Sequence, residues 1–356
     1  MAETVVVTGF AARSAFGRGT PALVAEAFTG TPAFTAVTRF DARVRRTQVA
    51  ATLPGTPMLA DELAGVIDEA CSAAALAERG CPLLLAAHAD RTNATVAADV
   101  AQRTGLASPV RTYTAACVAA TTAVADAAAM IATGRHERVV VAAGFLVDED
   151  IFALFDAGRT LARDGRVRPF SAGRQGMVLG DAIAAVVMES ASAAHARGAP
   201  IQARLAGWGR SGDAYHVCQP RPDGTGLARA ITAALQQAGV GAAEVGYVNA
   251  NGTGTVFNDQ AEAAALRLAL GDGVPVSSTK SVHGHALEAS GLLELVCTML
   301  ALTAGRLPVN GGFLEPDPQC PLDVVVGEPR PTDARYALSV NAAFGGANTA
   351  LLVGAP

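Results

Sequence analysis

Short continuous runs of Val, Ile and Leu alternate along this chain with longer Ala-rich stretches that carry polar residues at helical spacing. Runs of that kind fit strands buried on both faces, and the alternation is the βαβ rhythm of a mostly parallel sheet with helices packed on it. The pattern predicts an α/β protein with strands at 4–9, 83–87, 138–143, 182–188, 201–206, 245–249, 336–341 and 349–353. Helices are expected over 61–78, 118–132, 226–238, 259–269 and 286–303. The first strand ends in Gly9-Phe10 and the strand at 201–206 ends in Gly207-Trp208, each followed by a polar loop. This echo points to two related halves. The small, polar stretch SASAAHARGAP at 190–200 ends in Gly and Pro and is read as the junction, giving halves 1–200 and 201–356.

Composition narrows the class. With 51% hydrophobic and 17% charged residues in 356, the chain has material for a large buried core. A net charge of −5 without any Lys/Arg-rich run argues against a nucleic-acid surface, which needs cations to neutralise phosphates. The opening MAETVVVTGF lacks the basic start and cleavage site of a secretory signal, so a cytoplasmic protein is expected. No uninterrupted apolar run of about 18 residues is found, so no membrane span is expected. The six cysteines show no C-x-x-C pair, which gives neither a disulfide framework nor a zinc site. Every cationic side chain except Lys280 is arginine. An ammonium is compact where a guanidinium is a broad planar fork, so a tight polar pocket admits the first and excludes the second.

Three polar loops carry candidate chemistry. In TYTAACVAATT, Cys117 stands where an Ala/Val helix should begin, and the positive end of a helix dipole favours thiolate. A structural cysteine in an Ala-rich helix is the plain alternative. In YVNANGTGTVFNDQAEAAAL, Asn251, Thr253 and Thr255 alternate with glycines that allow close approach of a ligand, and Asp259-x-x-Glu262 reads as a capping box. In VSSTKSVHGHALEASGLLEL, Lys280 and His285 lie on the loop entering an apolar helix, a position that tends to keep an imidazole neutral. His283 and His285 form an H-x-H pair, but no third ligand cluster stands near them and no metal is expected. Near the C-terminus, Phe344-Gly345-Gly346 lies in a turn between two strands, where backbone N–H groups could form half of an oxyanion hole. A dehydrogenase is excluded because Val276 stands four residues before the only lysine, where Tyr is needed, and no G-x-S-x-G elbow occurs.

Taken together these segments resemble the β-ketoacyl synthases. Thr114-Ala115-Ala116-Cys117 is similar to the family's T-A-C-S segment with one extra small residue. Asn251-Gly252-Thr253-Gly254-Thr255 is similar to H-G-T-G-T, residues 279–285 to V-K-S-x-x-G-H, and residues 344–348 to F-G-G-T-N. The resemblance continues in RPFSAGRQGMVLGDA (168–182) and SGDAYHVCQPRPDGTG (211–226). It implies a thiolase-like αβαβα five-layered fold and a homodimer or heterodimer with a ketosynthase-like subunit. It also implies a substrate carried on the 4′-phosphopantetheine of an acyl carrier protein, with no bound cofactor. By position, Cys117 is the acylated nucleophile and His285 polarises the incoming thioester carbonyl. Lys280 and Glu294 support the polar network, Thr253 and Thr255 contact the pantetheine arm, and the N–H groups of Cys117 and Phe344, beside Gly345, form the oxyanion hole.

The chain departs from the family at three places. Asn251 stands where the family has histidine, and an amide donates a hydrogen bond but moves no proton near neutral pH. Ala342 and Ala343 stand where a gating Phe and Gly are usual. The segment from about 45 to 110 is shorter than the family's by several tens of residues. The leading expectation is a decarboxylating condensing enzyme of polyketide or specialised fatty-acid synthesis. The alternatives are an acyltransferase that passes the chain to an alcohol, amine or thiol, and a non-catalytic partner subunit of the chain-length-factor kind.

Overall fold

In the computed structural model, residues 3–88 and 95–356 are described. The strands that order the chain are β1 (Val5–Ser14), β2 (Pro82–Ala87), β3 (Ala107–Tyr113), β4 (Arg138–Phe145) and β5 (Ala182–Ser190). They continue with β6 (Ala203–Gly212), β7 (Val245–Asn249), β8 (Pro275–Ser277), β9 (Tyr336–Ala342) and β10 (Ala347–Gly354). The main helices are α1 (Leu59–Ala73), α2 (Ala119–Ala132), α3 (Glu149–Ala157), α4 (Thr225–Ala238), α5 (Val256–Leu270) and α6 (Ser290–Ala304).

Strand pairing repeats. In the first set β1 runs antiparallel to β5, β5 antiparallel to β4, β4 parallel to β2 and β2 parallel to β3. In the second set β6 runs antiparallel to β10, β10 antiparallel to β9, β9 parallel to β7 and β7 parallel to β8. The two sets join edge to edge where Val5, Val6 and Val7 of β1 pair with Leu205, Arg204 and Ala203 of β6. Each set is buried on both faces, which is why its strands read as unbroken apolar runs. Along β4, Val139, Val141 and Ala143 face the central layer, formed by α2 and α6, while Val140 and Ala142 face α1. Along β10, Leu351 and Val353 face the same central layer while Ala350 and Leu352 face α4 and α5. The order of layers is therefore helix, sheet, helix, sheet, helix, as expected of a thiolase-like fold.

The glycine echo has a steric basis. A Cβ on Gly9 would overlap the Ala70 carbonyl oxygen of α1, and a Cβ on Gly207 would overlap the Ala234 carbonyl oxygen of α4. Both glycines let an outer helix lie directly on the first strand of its set. The stretch at 190–200, read as the junction, contains a short helix, Ala191–Ala196, with Ser190 capping it by accepting from Ala193 N–H.

Leu287–Ala304 is a helical stretch long and apolar enough to cross a membrane by length and composition. It interleaves Glu288 and Glu294 with its apolar residues, so it contains no uninterrupted apolar run of about 18 residues. Its burial is 78%, inside the central layer, and a helix enclosed by two sheets is apolar all round for that reason.

Candidate active site

Cys117 occupies a single 3-10 turn, Ala116–Val118, between β3 and α2. Ala116 immediately before it has φ 47°, a left-handed conformation that disfavours any residue with a Cβ. The turn therefore sets the thiol at a sharp bend two residues ahead of α2. The Cys117 side chain is 8% exposed and faces a cavity of about 360 Å³. Its N–H and that of Phe344 make no hydrogen bond among the described residues. The expected dipole activation is outweighed: burial pushes the thiol up to about 12, with Lys280 pulling it down and the carboxylates of Glu288 and Glu294 pushing it up.

His285 reaches the thiol from the second half of the chain. Its backbone is pinned on both sides, donating its N–H to Val178 O at 2.7 Å and accepting the Gly180 N–H at 3.0 Å. A Cβ on Gly180 would overlap the His283 carbonyl oxygen, so this close approach requires glycine. The ring then places Nε2 3.1 Å from Cys117 Sγ and Nδ1 2.8 Å from Ser290 Oγ. Burial, together with the nearby Lys280 and His283, holds the imidazole far below its ordinary value, so it is neutral at physiological pH. His283 turns away: Nδ1 sits 2.8 Å from Gly284 O and Nε2 3.0 Å from Thr279 Oγ1. Among the described residues no cluster of three metal-ligating side chains occurs.

Lys280, 1% exposed, lies behind the thiol and the amide. Its Nζ is 2.6 Å from Glu294 Oε1, an ion pair without straight hydrogen-bond geometry, and it donates to Asn251 Oδ1 at 3.1 Å. Asn341 donates to the other Glu294 oxygen at 2.7 Å. Burial raises the Glu294 carboxyl, against the opposing pull of Lys280. Glu294 is thus a buried counter-ion that does not reach the cavity, rather than a substrate contact.

The Asn251 loop is gripped from below. Asp259 and Glu262 do not cap their own helix, because α5 starts earlier, at Val256. Both point inward instead: Glu262 accepts the N–H groups of Asn251 at 2.6 Å and Gly252 at 2.8 Å, and Asp259 accepts those of Phe170 and Gly254. Burial drives Asp259 up to about 6 and Glu262 to about 7. Asn258, which the sequence reading missed, accepts from Asn251 Nδ2 at 2.8 Å and itself donates toward Glu262 at 3.2 Å.

Cys117, Asn251, Thr253, Thr255, His285 and Phe344 all line the same cavity. The hydroxyls of Thr253 and Thr255 lie 2.8 Å apart. Gly345 does not join them, because its N–H is taken by Val217 O at 2.8 Å. The Phe344 ring stacks on Phe155 of α3, with centroids 6.3 Å apart, so an aromatic pair narrows the cavity beside the two alanines. Neither Phe155 nor the exposed Arg159 carried a sequence signal, since α3 was not expected. A second cavity of similar volume lies between Thr4, Arg204 and Arg335 and includes none of these side chains.

Comparison with known proteins gives the family. Residues 73–194 match the beta-ketoacyl synthase N-terminal domain and residues 202–313 the C-terminal domain, together more than half of the chain. The chain belongs to the β-ketoacyl synthase family of the thiolase superfamily. It is 41% identical over 260 residues to nodulation protein E of Rhizobium meliloti, covering 72% of this chain and 64% of that one. It is 38% identical over 271 residues to a putative polyketide beta-ketoacyl synthase 1 of Streptomyces cyaneus, covering 74% and 64%. The aligned stretch therefore spans just under two thirds of these relatives. The solved ishigamide ketosynthase/chain length factor superimposes with a TM-score of 0.93 at 28% identity over 100% of both chains.

Proposed function

We propose that this chain is a ketosynthase that forms an acyl thioester on Cys117 and condenses it with a malonyl-type extender. The observation that carries the reading is the convergence of one thiol, one neutral imidazole and one oriented amide on a single cavity. Cys117 sulfur attacks the carbonyl of an acyl thioester, the C–S bond to the incoming carrier breaks, and the thiol proton leaves with the carrier's sulfur. The free N–H groups of Cys117 and Phe344 supply donors for the oxyanion formed on the way. The extender thioester then occupies the space between His285 and Asn251. Loss of CO₂ leaves an enolate whose oxygen takes hydrogen bonds from both, and its carbon attacks the acyl group while Cys117 departs as thiolate. No step requires a proton to pass through residue 251, so an amide serves there.

The cavity of about 360 Å³, with the hydroxyls of Thr253 and Thr255 on its wall, suits a substrate on a slender polar arm. A carrier-protein phosphopantetheine has that shape, and the exposed Val256 and Phe257 at the entrance give the carrier an apolar rim. The repeated strand pairing supports the division into 1–200 and 201–356, with the nucleophile on one half and the two hydrogen-bonding side chains on the other. A homodimer or a heterodimer with a ketosynthase-like subunit belongs to the same reading. Incubation with acyl-carrier and malonyl-carrier should release CO₂ and a β-ketoacyl product. Transfer of the acyl chain to an alcohol, amine or thiol without malonyl-carrier would replace condensation by simple acyl transfer.

A second reading is favoured by the match to a ketosynthase/chain length factor assembly and by the raised Cys117 thiol. In it the chain is the partner subunit of a ketosynthase. Pathway output unchanged by C117A would select this reading over the first.

A further inference from the structure

The hydroxyl of Ser290 is fully buried and sits between two nitrogens. It lies 2.8 Å from the Ala286 backbone N, which donates to it, and 2.8 Å from Nδ1 of His285. No carbonyl or carboxylate among the described residues accepts the Ser290 proton. Two assignments of the protons are therefore open, and they differ in what is left unpaired. If Nδ1 carries the imidazole proton, Ser290 Oγ receives two N–H donors and its own buried O–H has no acceptor. If Nε2 carries it, Ala286 donates to Ser290, Ser290 donates to Nδ1, and Nε2–H points at Cys117 Sγ, 3.1 Å away. The second assignment leaves only the S–H unpaired, and a thiol is a weak donor whose loss costs less than that of a buried hydroxyl.

We propose that Ser290 is a positioning residue that holds neutral His285 as the Nε2–H tautomer, making it a fixed hydrogen-bond donor to the sulfur of Cys117 and to whatever oxygen replaces it in the cavity. Burial and the neighbouring Lys280 and His283 keep the ring uncharged, so it has one proton to place and Ser290 decides where. The groups facing the ring are Cys117, Lys280, His283 and Ser290, of which Ser290 alone bonds Nδ1. His285 in this form does not deprotonate Cys117 through Nε2. It parallels Asn251, whose oxygen is occupied by Lys280 so that only N–H is offered. The consequence for condensation rests on the ketosynthase reading, whereas the tautomer itself does not.

The test is long-range ¹H–¹⁵N NMR of the full chain labelled with ¹⁵N-histidine, which has only six such residues, with His285 assigned by its loss in H285N. The expected spectrum shows an unprotonated Nδ1 and a protonated Nε2 at pH 7. S290A should give mixed tautomers and slow iodoacetamide alkylation of Cys117 about twofold, since an even mixture halves the population that donates to the sulfur. S290T, which keeps the hydroxyl, should restore both. A protonated Nδ1 in the unmodified chain overturns the proposal even if S290A does not fold, and so does an S290A spectrum identical to the parent's. Because neither readout uses a carrier or turnover, an inactive protein with the expected spectrum would count against the ketosynthase reading alone.

Discussion

Lys280 Nζ donates to Asn251 Oδ1 at 3.1 Å while pairing with Glu294, and this one contact decides which end of the amide faces the cavity. With the oxygen committed to the ammonium, the amide nitrogen serves Asn258 with one proton and keeps the second for the cavity. The only lysine of the chain has a use here: a compact ammonium, 1% exposed, reaches both Glu294 and Asn251 in an enclosed position where a broad planar guanidinium needs more room.

From this relationship, N251A should reduce CO₂ release from malonyl-carrier by about 10²-fold, the usual cost of one donor to a developing oxyanion. Acylation of Cys117 should change less than about threefold, because the amide does not touch the acyl carbonyl. Parallel CO₂ and acyl-enzyme burst measurements separate the two. Equal losses in both would remove Asn251 from the extender step.

The pH dependence of thiol reactivity follows from burial. Alkylation requires thiolate, and Cys117 is pushed up to about 12, so its rate should climb close to tenfold per pH unit from pH 6 to 10. No inflection is expected near pH 6.5, since His285 stays neutral there. Peptide mapping in a C218S background isolates Cys117 from the exposed Cys218. A plateau beginning below pH 8 would mean that the resting thiol is already ionised.

Two buried carboxylates reverse the usual acid behaviour. Folding raises Asp259 to about 6 and Glu262 to about 7, so the folded chain binds protons more tightly than the unfolded one. That stability is complete below about pH 4 and lost as pH rises through 6 to 7, of the order of 3 kcal/mol for Glu262. The buried neutral His283 and His285 push stability the other way over the same range, so the difference between E262Q, which cannot ionise, and the parent isolates Glu262: E262Q should gain stability relative to the parent as pH rises from 5 to 8. A difference in denaturation midpoint between E262Q and the parent that stays constant from pH 5 to 8 would contradict the assignment.

G207A tests the layer packing. The added methyl meets the backbone of α4, which cannot swing aside, and overpacking of that kind costs about 1–3 kcal/mol. Tm should fall by a few degrees, and the same change at Gly212, where the added carbon meets open space, should cost less.

How much was legible in the sequence follows from what each residue faces. Strands β1, β4 and β5 stood out because both of their faces are buried and the chain has no choice but Val, Ile and Ala there. β3 was missed because its residues ASPVRTY mix Pro, Arg and Ser, as befits the terminal strand of its set. α3 was missed because its nine residues are too few to establish a period. Cys117, Asn251, Lys280 and His285 could be picked out because their segments together match one family's motifs in order, although each alone has a plain alternative. Ser290 and Asn258 could not, since a Ser in an Ala-rich helix entry and an Asn near a helix start have ordinary local explanations. Their partners lie across the fold, and only the assembled site shows them. Asp259 and Glu262 were misread for the converse reason: a spacing of three fits a capping box, yet their carboxylates are spent on the neighbouring loop.

The most direct measurement is intact-protein mass spectrometry followed by peptide mapping after exposure to acyl-carrier. A covalent shift equal to the acyl group, confined to the peptide holding Cys117 and abolished in C117A, is the expected result, and malonyl-carrier should then discharge it. An unshifted mass across a panel of acyl-carriers, or an adduct that persists in C117A, would contradict the claim that this thiol carries the chain.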